Sequence, residues 1–172
     1  MRLAVTDACI FIDLLDLQIV SEFFNLPIEI HTSLDVFNEL YEEQKTILKA
    51  YQSVGKLSIH NISSEEKEKI LNNKFPKALS YNDRTVVYLA EKIEAFIITS
   101  DKAVRKYSKT KVIEYHGMLW IFDKMIEANL FTPNQAIVKI NELVNINVMY
   151  YNNAELTSEI NKRKRLWKDM LK

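Results

Sequence analysis

Short apolar runs alternate with longer stretches whose apolar residues recur every three or four positions, and this pattern organises the chain. Leu3–Thr6 predicts a short buried strand, and Cys9–Leu17 an apolar helical stretch. Ile28–His31 predicts a second strand. Ser33 is placed to cap a helix reaching about Tyr51, with Phe37, Leu40, Tyr41 and Leu48 on one face. Leu57–Ile62 predicts a strand, and Ser63 or Ser64 opens a polar helix rich in Glu and Lys. Ser80 caps a helix to about Ile93, Ala95–Thr99 is an apolar, β-branched strand, and a short helix follows Asp101. A last strand is expected at Lys111–Tyr115, and a helix runs from Gly117 to about Asn129. Thr132-Pro133 pairs a cap residue with Pro at the first helical position, starting a helix that ends near Val144. Asn145–Asn153 reads as a connector within the same domain, and Ala154–Leu171 as a strongly charged helix.

Strands alternating with helices predict an α/β fold with a mostly parallel central sheet and helices on both faces. A chain of 172 residues favours one domain with a sizeable core. The two glycines, Gly55 and Gly117, are far apart, which excludes a phosphate-binding loop and a dinucleotide fingerprint, since both need clustered glycines. The single cysteine, Cys9, excludes an intramolecular disulfide and fits a reducing cytoplasm. No apolar run reaches the roughly 18 residues a membrane span needs, so no membrane association is expected.

Net charge is zero but unevenly spread. Residues 1–50 carry 3 basic and 9 acidic groups, net −6, whereas residues 101–172 carry 13 basic and 8 acidic groups, net +5. The acidic front suits metal ligation and the basic back suits phosphate contact.

Four acidic residues, Asp7, Glu39, Asp83 and Asp101, fall near predicted strand–helix junctions. In an open parallel sheet such positions gather at the carboxyl edge of the strands, where ligands bind. Crowded carboxylates resist ionising unless a cation neutralises them, so a cluster of this kind points to a divalent metal. Each acid also has a purely structural reading. Asp7 and Asp101 are placed to cap the helices that follow them. Asp83 shares a face with Val86, Val87 and Ala90, yet Ser80 and Asp83 also have capping-box spacing. Glu39 falls on the margin of an apolar stripe and reads equally as a solvated helix charge. Lys102, Arg105, Lys106 and Lys109 share one face of the helix after Asp101, suiting either a phosphodiester or plain solvent. His31, His60 and His116 have no ligand-like spacing and read as structural. The tail run Lys162–Arg165, followed by Leu166 and Trp167, suits contact with RNA or a protein, or a solvated helix anchored by Trp167.

The motifs V-T-D-A-C at 5–9, V-F-N-E-L at 36–40, L-S-Y-N-D at 79–83 with V-V-Y-L-A at 86–90, and I-T-S-D-K-A-V-R at 98–105 occur in order. With H-G-M-L-W at 116–120, the chain resembles the PIN-domain nucleases, particularly the VapC-like toxins of bacterial toxin–antitoxin pairs. The resemblance covers roughly residues 1–130, with 131–172 expected as a helical extension of a single PIN-like three-layer α/β/α domain. It implies that Asp7, Glu39, Asp83 and Asp101 form an acidic site for Mg²⁺ or Mn²⁺, with Thr6 and Ser100 as polar supports. It matches Arg105 to a basic residue that follows the last acid, and Lys102, Arg105 and Lys106 are, from the basic face itself, the candidates to hold the substrate backbone. It further implies RNA cleavage, an antitoxin partner and a homodimer. The stretch before Asp83 lacks the glycine common in many members. A haloacid-dehalogenase-like phosphatase would want D-x-D after its first strand, whereas Asp7 is followed by Ala8 and Cys9.

Overall fold

In the computed structural model, which describes residues 1–171, five parallel strands form one sheet with helices on both sides. The elements run β1 (Arg2–Thr6), α1 (Ala8–Asp16), α2 (Val20–Phe24), β2 (Ile28–Ser33), α3 (Leu34–Asn38), α4 (Glu42–Ser53), β3 (Leu57–His60) and α5 (Ser64–Asn72). They continue α6 (Tyr81–Ile93), β4 (Phe96–Ile98), α7 (Lys102–Thr110), β5 (Tyr115–His116), α8 (Met118–Glu127), α9 (Pro133–Ile146), α10 (Val148–Tyr151) and α11 (Ala154–Asp169). No helix among the described residues is long and apolar enough to cross a membrane.

The chain forms two compact units: Met1–Ile12 with Pro27–Gly117, and Asp13–Leu26 with Met118–Lys172. The first holds the sheet, in the order β3-β2-β1-β4-β5. Its central strands are apolar on both faces, as a covered parallel sheet requires: Ala4, Val5, Ile97 and Ile98 are fully buried. β1 gives rise to neighbours on both sides, β2 and then β4, so the strand order reverses between β1 and β4. That reversal opens a crevice at the carboxyl ends of these two strands. The second unit is helical, with Leu14, Phe23, Ile121, Phe122, Met125, Ile140 and Leu143 in its core. Trp167 is buried in it, its ring edge-on to Phe122 at 6.3 Å. Arg163 turns inward to Asp123 at 2.9 Å and Glu159 at 2.8 Å, so the basic run of α11 is partly neutralised from within.

Four departures from these expectations stand out. The helix expected from Ser33 to Tyr51 is two. Ser33 does cap α3, its Oγ accepting from the Val36 amide at 3.1 Å. The Glu39 and Leu40 amides then bond three residues back, to the Val36 and Phe37 carbonyls, which tightens and ends the helix. Tyr41 is extended, and its amide donates to Gln44 Oε1 at 3.0 Å as α4 begins. Leu40 therefore stays buried while Tyr41 is 79% exposed, off the face predicted for it. The strand expected at Lys111–Tyr115 shrinks to Tyr115–His116, because residues 111–113 close α7: Val112 adopts φ +58°, and the Ile113 amide reaches the Ser108 carbonyl at 2.9 Å. The expected connector contains α10, and α2 lies where no element was expected. Gly55, at φ +74°, serves the same purpose after α4 that Val112 serves after α7, with the Lys56 amide on the Tyr51 carbonyl at 2.9 Å.

Candidate metal and nucleic-acid site

Asp7 follows β1 and lies opposite the end of β4, where Thr6 registers with Ile98. Its amide donates to the Ile98 carbonyl at 3.3 Å, so the backbone stays paired as the strand ends. The side chain is buried, at 6% exposure. Cys9 Sγ donates to Oδ1 at 2.7 Å, the Ile10 amide donates to the same oxygen at 3.3 Å, and Thr99 Oγ1 donates to Oδ2. Burial raises the carboxyl from an ordinary 3.8 to about 6. The three donors pull it down, and the charge of Asp83 pushes it further up. Asp7 and Asp83 are thus close enough to feel each other, although they are far apart in sequence.

Asp83 lies in the first turn of α6 and is half-buried, so it sits at the margin of the core and not inside it. Its Oδ2 accepts from the Ser80 amide at 2.7 Å, and Ser80 Oγ accepts from the Asp83 amide at 3.1 Å. The capping-box reading of S-x-x-D is therefore realised. The start of α6 is tied to the end of β2 by Ser33 Oγ and Thr85 Oγ1, 2.7 Å apart, and β2 to β1 by Thr32 Oγ1, which donates to the Thr6 carbonyl at 2.8 Å. These bonds fix α6, and with it Asp83, at the carboxyl edge of the sheet.

Asp101 is the exposed N-cap of α7, its Oδ1 accepting from the Ala103 and Val104 amides at 2.7 and 2.8 Å. Its own amide donates to Thr99 Oγ1 at 3.0 Å. Thr99 thus bridges the two acids, holding the side chain of Asp7 and the backbone of Asp101. Glu39 is not inside a helix, as expected, but is the exposed C-cap residue of α3. Among the described residues no group of three or more His, Cys, Asp and Glu side chains is arranged to hold a metal ion. Asp83 bears on Asp7 through its charge, Asp101 is joined to Asp7 through Thr99, and Glu39 stands at the exposed turn after α3.

Of the predicted supports, Thr6 is fully buried, and its Oγ1 has no hydrogen-bond partner among the described residues. The Ser100 amide donates to Cys9 Sγ at 3.3 Å. Lys102 and Lys106 are exposed on α7, but Arg105 leaves that face. Its guanidinium lies 5.4 Å over the Tyr115 ring and covers Gly117, where an added Cβ would meet Arg105 Nη2 at 3.1 Å and the Thr99 carbonyl at 3.3 Å. Gly117 leaves the space that lets Arg105 lie against the end of β4. The histidines have structural partners: His31 Nδ1 and His60 Nε2 are 2.9 Å apart, and His116 Nε2 meets Glu114 at 2.6 Å.

Thr99 and Cys9 do the most to hold Asp7, and neither was placed in the site from sequence. From the sequence, Thr99 reads as the strand-end hydroxyl beside Asp101, and Cys9 as the sole cysteine and the last residue of the V-T-D-A-C motif.

A family model described as a PIN domain matches residues 3–165, taking in the sheet and most of the helices that follow it. No curated protein matches the chain. PIN domains are generally nucleases and typically use divalent metals. The five-stranded parallel sheet, the acids at its carboxyl edge and the length of this match agree: the chain belongs to the PIN-domain family, with a nuclease-type fold.

Proposed function

We propose that the chain is a divalent-metal-dependent endoribonuclease, the VapC-like toxin of a toxin–antitoxin pair, acting in the cytoplasm as a homodimer restrained by an antitoxin protein. The observation that supports this most is Asp7: a carboxyl buried at the strand-order reversal, with Asp83 raising the cost of its charge. Such a group is stabilised by a cation, and the donor set is made of hard carboxylate and hydroxyl oxygens that suit Mg²⁺ or Mn²⁺. Asp7, Asp83 and Asp101, with Glu39, are the residues that would hold the ion. When bound, it would supply an activated water and counter-charge at the phosphoryl oxygens. Thr99 and Cys9 orient the Asp7 carboxylate, and Lys102 and Lys106 offer charge to the phosphates. Arg105, its Nε buried and without a partner among the described residues, is held against Tyr115 near the end of β4.

A second reading is a PIN-fold binding module that acts through a protein partner. It is favoured by the use of Asp83 and Asp101 as helix caps and by the lack of a three-donor group among the described residues. The readings separate on RNA cleavage with Mg²⁺ or Mn²⁺. Asp7→Asn and Asp83→Asn should each abolish it, and Asp101→Asn is the sharper probe because Asn caps a helix about as well as Asp. Cleavage that survives Asp7→Asn and Asp83→Asn alike would sink the metal-nuclease reading. Growth arrest on expression, relieved by the product of a neighbouring gene, would support the toxin assignment.

A further inference from the structure

The segment 73–80, between α5 and α6, has no helix or strand, yet it is firmly held. The Asn73 amide donates to the Lys69 carbonyl at 3.1 Å, and the Leu79 amide closes a turn on the Pro76 carbonyl at 3.1 Å. Leu79 is buried. The Phe75 ring lies 5.3 Å from the Tyr107 ring of α7, and the Arg84 guanidinium lies 5.8 Å from the centroid of the Phe75 ring while its Nε donates to the Leu79 carbonyl at 3.1 Å. The segment and α7 are therefore joined at Phe75–Tyr107. At one end each leads to an acid: the segment ends at Ser80, bonded to Asp83, and α7 starts at Asp101. Tyr107 is six residues beyond Asp101, about 9 Å along the helix.

These two elements share an unusual charge pattern. Neither residues 73–80 nor α7 contains an acid. Lys74, Lys77, Lys102 and Lys106 are exposed, and none forms an ion pair among the described residues. Elsewhere in the same unit Lys45, Lys69 and Lys92 are each matched to a glutamate within 2.9 Å, and Lys49 and Lys67, though not so matched among the described residues, lie on helices that carry their own acids. Unmatched cations on two elements that converge on an acidic edge make a local positive field for a polyanion.

We propose that the segment 73–80 and helix α7 are two sides of one track that grips the phosphate backbone of a single-stranded polynucleotide leading to Asp83 and Asp101. Lys74 and Lys77 form the side that the sequence motifs do not indicate, and Phe75 is the residue that fixes this side against α7. The proposal rests on the nuclease reading for why a strand would lead to those acids.

Binding is measured by fluorescence anisotropy with labelled single-stranded RNA and DNA, using the full chain carrying Asp7→Asn to stop cleavage. Lys74→Glu with Lys77→Glu should weaken binding by about tenfold or more. Each phosphate contact on a single strand contributes about 0.7 to the salt slope, so the pair should lower that slope by about 1.4. Lys74→Arg with Lys77→Arg should keep the affinity. Phe75→Ala should weaken binding several-fold with little change of slope, since the charges remain. The equal charge reversal Lys49→Glu with Lys67→Glu, on α4 and α5, should change little; equal weakening there overturns the track, because net charge alone would then explain the effect. Weakening by Lys102→Glu with Lys106→Glu but not by Lys74→Glu with Lys77→Glu overturns the second side and leaves the nuclease reading intact. An effect confined to RNA assigns the contact to the ribose hydroxyl and overturns backbone recognition. Failure of the unmodified chain to bind or cleave either strand overturns both readings together.

Discussion

Asp7 and Asp13 are both buried aspartates, at 6% and 4% exposure, and burial raises both carboxyls to about 6. They belong to different units and have different surroundings. Asp7 has three donors on its two oxygens and a second carboxylate that raises it further. Among the described residues Asp13 has one side-chain donor, Asn147 Nδ2 at 2.9 Å on Oδ1, while its Oδ2 has no partner. Asn147 in turn caps α10, its Oδ1 accepting from the Met149 amide at 3.1 Å. A raised carboxyl alone therefore does not mark a site. Topology distinguishes the two: Asp7 ends a strand where the sheet order reverses, whereas Asp13 sits within α1 and holds a turn between two helices.

The largest test of this contrast is activity. Asp7→Asn should cut RNA cleavage by at least about a hundredfold, since even residues that only orient metal ligands contribute about 10–100-fold. Asp13→Asn should leave cleavage within about twofold. A large loss in Asp13→Asn at unchanged melting temperature would erase the distinction. Next comes removal of each aspartate's donor. Thr99→Val takes the hydroxyl from Asp7 and the acceptor from the Asp101 amide, and should cost about 1–3 kcal/mol of stability and roughly tenfold or more in cleavage. Thr99→Ser should restore both. Asn147→Ala removes the one side-chain donor on Asp13 and should cost a similar stability with cleavage unchanged. Denaturant melts and initial rates on the same samples separate the cases.

How far the sequence discloses this site depends on how local each feature is. Asp7 and Asp101 follow apolar runs and were legible as strand-end acids. Ser80 and Asp83 announce their capping box by spacing alone. The part played by Thr99 was hidden because it depends on the β1–β4 register, which joins residues 92 apart. The break between α3 and α4 is hidden because Val36, Phe37 and Leu40 before it and Leu48 after it all stay inward, so the apolar stripe reads as continuous. Residues 111–113 look like strand because Val112 and Ile113 are β-branched, yet Val112 takes the left-handed position usually given to glycine and is 92% exposed. Glu39 entered the site through the family pattern, and its exposed place after α3 follows from that same unforeseen break.

The smallest effect tests the helical unit directly through pH. Between 3.8 and about 6 the folded chain keeps a proton on Asp13 that the unfolded chain has released. Stability from this group therefore falls as pH rises through that window, and above it the ionised carboxyl costs up to about 3 kcal/mol, at about 1.4 kcal/mol per pH unit. Asn at position 13 cannot ionise and still offers an oxygen to Asn147, but it buries an unpaired amide donor where Oδ2 stood, at about 1–2 kcal/mol. Asp13→Asn should thus be more stable than the unmodified chain by about 1 kcal/mol at pH 8, with the gain gone or reversed near pH 4. Asp7 titrates in the same window, but it is present in both proteins and its contribution cancels in the difference. Denaturant melts of the pair across that range measure the difference. Parallel stability curves would mean that Asp13 is not held in the unfavourable burial described here, and that Asp7 alone carries a strained charge.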